Sequence, residues 1–166
     1  MLIDVSYFIK GPRHIQNASV SSMPSMESQS VNKTIVGYID FYMCQFLNDM
    51  LGYELAYQVE QRLLAIEDGA EDVVPIDTLI DKMKESFADF VFFQMLKNIN
   101  TQATVTGIVH LKSVNEYADP KELLVSTWNR MVASNVRFLE WVLSEDCPYK
   151  VKVKKFMLTP INVLNI

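Results

Sequence analysis

Few residues of this chain are equipped for chemistry, and they stand apart. His14 and His110 have no carboxylate or cysteine at ligand spacing, so the pattern indicates neither a metal site nor support for a nucleophile. Cys44 and Cys147 lie far apart and belong to no paired spacing that holds zinc or forms a redox couple; they read as two buried free thiols. The 5 glycines stand singly, which excludes a glycine-rich phosphate loop. No catalytic set, metal or cofactor is expected, and the chain reads as a non-enzyme.

Two charged features remain. Asp89 sits inside SFADFVFFQML, where a carboxylate must cap a neighbouring segment, pair with Arg or Lys, or reach the rim. Lys150, Lys152, Lys154 and Lys155 form a comb in which the first three alternate with Tyr149, Val151 and Val153, the period of a strand with one apolar and one cationic face. Three readings of the comb stay open. It protects a strand edge, it docks its valine face on a partner while its lysines meet an acidic surface or DNA, or it is a solvated strand of the chain's own sheet.

The elements that position these residues are helical. At 166 residues, 49% of them hydrophobic, the chain is one globular protein with a real core. A net charge of -5 argues against a protein that grips nucleic acid, since that requires a surplus of cations. No apolar run is long enough for a membrane span, and MLIDVSYFIKGPRH lacks the order of a signal peptide, so the chain reads as cytoplasmic with no membrane partner.

Residues 1–34 read as an extended arm followed by a serine-rich linker, NASVSSMPSMESQSVNKT, outside the core. Residues 35–145 read as a helical domain. In its first helix Ile35, Ile39, Tyr42, Phe46 and Met50 repeat at helical spacing, and Tyr38, Phe41 and Leu47 widen the apolar stripe. That stretch also carries Asp40 and the pair Asn48-Asp49. Gly52 is placed to end it in a left-handed conformation. A second helix spans about Tyr53 to Ile66, with Leu55, Val59, Leu63 and Ile66 on its core face.

After EDGAEDVVP, Asp77 is the expected cap of a third, central helix lined by Leu79, Ile80, Met83, Phe87, Phe90, Val91 and Met95. The threonine-rich segment near 101–114 suits short β pairing. Asp119-Pro120 starts a fourth helix running to about Leu143, with Leu124, Trp128, Met131, Asn135, either Phe138 or Leu139, and Val142 at core spacing. Residues 146–166 read as a C-terminal extended arm containing a lysine/valine strand. The expected fold class is mainly α: a small four-helix bundle with an extended N-terminal arm and short β segments.

Taken in order, YFIKGPRHIQNAS, IVGYIDFYMCQFLNDMLGYELAYQV, SFADFVFFQML, TVTGIV and DPKELLVSTWNRMV resemble the head-to-tail connector proteins of tailed bacteriophages, in the version of Bacteroides-infecting, crAss-like phages. A helix ending in Leu-Gly beside an aromatic is matched by Leu51, Gly52 and Tyr53. A Trp-Asn-X-Met motif is matched by Trp128, Asn129 and Met131. The W-x-x-L element of such proteins is replaced here by EDGAEDVVPI.

The resemblance implies a virion structural protein of the neck, assembled in the host cytoplasm. It would form a homo-oligomeric ring of about a dozen copies against the portal protein and other neck or tail proteins, with DNA passing the lumen without sequence-specific binding. The residues expected at subunit or partner interfaces are Tyr7, Phe8, Ile9 and Arg13 of the first arm and Phe41 of the first helix. In the second arm they are Lys150, Val151, Lys152, Val153, Lys154, Lys155 and Phe156. The competing class is a small helical adaptor or regulatory protein, monomeric or dimeric.

Overall fold

The computed structural model of the chain describes residues 1–99, 101–104, 107–110, 120–144 and 147–162. It is mainly α. Helices α1 (Met26–Leu51), α2 (Tyr53–Glu67), α3 (Pro75–Ile99) and α4 (Pro120–Val142) share one core, and 3-10 turns at Val5–Phe8, Gly11–Arg13 and Lys155–Leu158 punctuate the terminal segments.

Helix α1 begins at Met26 rather than Ile35, inside the stretch expected to be a linker. Ser25 caps it, its Oγ accepting from Ser28 N at 3.1 Å. Asn32 then ties the preceding serines down: its Nδ2 donates to Ser19 O at 2.7 Å and its Oδ1 accepts from Ser19 N at 3.2 Å. Periodicity misses this first part of the helix because most of it faces water; Met26, Lys33 and Thr34 are exposed.

Gly52 separates α1 from α2 with φ +78° and ψ 162°. The φ is positive as expected, but the ψ lies beyond the left-handed helical region, in one that only glycine occupies readily. In α2, Leu55, Ala56, Val59 and Leu63 are buried, whereas Ile66, expected on the same face, is exposed near the end of the helix. Pro75 opens α3, so Asp77 is not its cap but the third helical residue. Its carboxylate reaches back to accept from Val74 N at 2.9 Å.

Residues 86–93 of α3 are buried without interruption, which makes α3 the central helix. Phe46 of α1 packs against Phe87 and Phe90, with centroids 5.0 and 5.5 Å apart, and Trp128 of α4 packs against Phe93 at 4.8 Å.

Neither terminal segment stands off as an arm. Leu2, Ile3 and Phe8 are buried in the core, and Met157 near the other end is fully buried. Residues 147–154 form no strand; they run extended along the ends of α1 and α2. Of the threonine-rich segment, the backbone of Thr101–Thr104 runs antiparallel to Gly107–His110. Residues 111–114 and Asp119 lie outside the described residues.

Candidate partner interface

The buried acid of α3 explains why the first segment folds inward. Asp89 is 1% exposed, and its Oδ1 accepts from Arg13 Nη1 at 2.9 Å and from Arg130 Nη2 at 2.7 Å, while Oδ2 accepts from Arg130 Nε at 2.9 Å. Arg13 also donates to Glu85 Oε2 at 2.6 Å. Burial by itself would lower the Arg13 pKa; the hydrogen bonds and charges of Glu85 and Asp89 outweigh it and hold the guanidinium above its ordinary value. Two arginines from distant parts of the chain thus neutralise one carboxylate in the core, and a buried charge left without them would be strongly unfavourable.

The residues expected at an interface in this segment are therefore mostly engaged at home. Phe8 is fully buried, Arg13 is committed to Asp89 and Glu85, and Tyr7 and Ile9 are half-buried. Burial raises the Tyr7 phenol pKa, and the Arg13 guanidinium lies 5.9 Å from the centre of its ring.

In the second segment the alternation is right and the partner is different. Val151 and Val153 pack on the core, while Lys150, Lys152 and Lys154 point outward and Lys155 is exposed. The main chain bonds to a helix end: Lys152 N donates to Leu51 O at 3.3 Å and Lys154 N to Asp49 O at 2.8 Å. These carbonyls belong to the last turn of α1, which has no intrahelical donors to offer them. Lys154 Nζ lies 2.6 Å from Asp49 Oδ1, and Lys152 Cβ packs 3.4 Å from the place a Gly52 side chain would occupy.

Further along, α4 holds the segment by side chains. Asn135 Nδ2 donates to Met157 O at 2.8 Å and Trp128 Nε1 to Thr159 O at 2.9 Å. Asn129 Nδ2 donates to Ile161 O at 2.9 Å, and Ile161 N donates back to Asn129 Oδ1 at 2.9 Å. Ser86 Oγ completes the buried Asn135 amide. Trp128 and Asn129 carry the family resemblance, and the structure gives both a local task.

Exposed apolar surface lies elsewhere. On the α1–α2 hairpin, Phe41 is 75% exposed, Tyr53 79%, Tyr57 55% and Leu64 53%. A separate cleft is lined by Phe90, Phe93, Trp128, Phe156 and Ile161, with Phe156 stacked on Trp128 at 6.4 Å. Among the expected interface residues, Phe41, Lys150, Lys152, Lys155 and Phe156 are exposed; Tyr53, Tyr57 and Leu64, outside that expectation, are exposed as well. Spacing alone points to this, since an α2 with apolar residues on both faces cannot bury them all against one core.

Cys44 is exposed and Cys147 half-buried, not the buried pair expected. Local desolvation, and then the Glu60 carboxylate, raise the Cys44 thiol pKa, the direction opposite to activation of a nucleophile. Among the described residues no cluster of His, Cys, Asp and Glu is arranged to hold a metal, and no helix is long and apolar enough to cross a membrane. No family model, curated protein or solved structure matches the chain.

Proposed function

We propose that the protein is a structural subunit of a virion neck, a ring-forming head-to-tail connector that joins portal to tail and lines the DNA channel. Its body is read as a small four-helix bundle with short β pairing between 101–104 and 107–110. The sequence resemblance supplies this reading, and one structural observation supports it. The exposed hairpin face of Tyr53, Tyr57 and Leu64 and the cleft of Phe93, Trp128 and Phe156 share no residue. Two dissimilar apolar surfaces suit a head-to-tail contact, whose repetition closes a ring; a dimeric adaptor would use one surface twice. The net charge of -5 suits a lumen through which DNA slides unheld.

Native mass spectrometry of the full chain across concentration, alone and with a candidate portal protein, tests this. A closed species of about a dozen copies in either condition is expected. A strict monomer or dimer in both would overturn the connector and leave a small helical adaptor.

A further inference from the structure

The C-terminal segment is recognised through its backbone. Two amides, at Lys152 and Lys154, are taken by the end of α1. Carbonyls of Met157, Thr159 and Ile161, and the Ile161 amide, are taken by Asn135, Trp128 and Asn129 of α4. Within each set the bonded residues are every second one, although Met157 of the second set lies in the 3-10 turn Lys155–Leu158. Its side chains contribute less: Met157 is fully buried, but Phe156 is 43% exposed and the valines are only partly covered. A row of side-chain donors reading alternate backbone groups is how a protein receives an added peptide, rather than how one helix packs on another.

We propose that this groove, formed by Trp128, Asn129 and Asn135 of α4 with the last turn of α1, is an exchangeable peptide site whose other occupant is the same segment of a second copy of the chain. Complementarity to that occupant is already on view, because the segment of a second copy carries the same atoms in the same order. The Lys154–Asp49 ion pair fixes the register in either arrangement, placing a cation on a carboxylate that is 4% exposed. Held at home, the segment completes its own subunit; passed across, it makes the same bonds and joins two subunits without new surface chemistry. The segment's covalent tie to α4 ends at Val142, while its contacts run from the end of α1 back to Asn129 and Trp128. The inference does not rest on the connector reading, since exchange links copies in a ring and in a dimer alike.

The test uses full-length chains. One population carries a photoreactive benzophenone amino acid in place of Phe156, whose ring stacks on Trp128. The other is labelled with heavy nitrogen and otherwise native. The two are mixed over a concentration series, illuminated, digested and analysed by mass spectrometry. Adducts on heavy peptides containing Trp128 or Phe93 are expected, and Asn129→Ala in the heavy chain should lower them several-fold. Adducts confined to the photolabelled chain's own peptides at every concentration would overturn the proposal. So would heavy adducts indifferent to Asn129→Ala, which would mean that a neighbour only abuts the cleft. A closed ring with adducts only in cis would sink exchange and spare the connector; heavy, Asn129-dependent adducts in a strict dimer would do the reverse.

Discussion

Lys154 meets Asp49 at two points, its amide donating to the Asp49 carbonyl at 2.8 Å and its ammonium lying 2.6 Å from the carboxylate. One residue thereby closes the end of α1 and neutralises a buried acid. Lys154→Ala keeps the amide bond but strands the carboxylate. Because the lysine side chain is 58% exposed and water can replace it in part, the expected loss is about 1–2 kcal/mol by chemical denaturation. Asp49→Asn should lose less, and the double variant less than the sum.

Asp89 carries a larger penalty. Asp89→Ala removes the buried carboxylate that Arg13 and Arg130 share, leaving Arg13 with Glu85 and Arg130 to water, and a loss of about 3 kcal/mol is expected in urea unfolding. Arg13→Ala should cost less globally, since Arg130 still pairs the acid. It should, however, raise amide hydrogen exchange across residues 1–18 selectively. Unchanged exchange there would show that Leu2, Ile3 and Phe8 hold the segment by themselves.

Gly52 cannot be replaced cheaply. Its φ of +78° with ψ 162° is strained for any L side chain, although a Cβ would meet Lys152 only at ordinary van der Waals contact, 3.4 Å. Gly52→Ala is expected to destabilise by about 1–3 kcal/mol and lower Tm by several degrees.

Acid sensitivity should run through Asp77. Hydrogen bonds from Arg62, at 2.8 and 2.9 Å, and then from Val74 N hold its carboxyl below the ordinary value of 3.8. With the folded-state pKa lower than the unfolded one, the contribution is complete above the unfolded value and drains away as pH falls through the folded one. Arg62→Gln should therefore destabilise the protein at neutral pH, and its gap to the native chain should narrow below about pH 4 in a denaturation series.

Tyr57 separates folding from assembly. It is 55% exposed and lies on the face of α2 opposite its core residues, so Tyr57→Glu should change stability by no more than about 0.5 kcal/mol. If the hairpin face meets a neighbour, the same change should shift assembly to at least tenfold higher concentration in native mass spectrometry. Unaltered assembly would remove this face from the contact.

The sequence by itself determined what depends on neighbours a few residues away. The core stripe of α3 from Leu79 to Met95, the break at Gly52, the Pro120 start and the core positions of α4 all follow from helical spacing and local backbone preference. It also marked Asp89 as an acid needing a partner, because a carboxylate among phenylalanines has few other solutions. What it could not choose was the partner. Arg13 and Arg130 reach Asp89, Lys154 reaches Asp49 and Ile161 reaches Asn129 across separations that carry no period. Both ends of the chain therefore read as free arms, being short, polar in places and without helical repeat. Tertiary structure decided otherwise, since buried polar groups on α3, α4 and the end of α1 take partners from those segments as well as from one another.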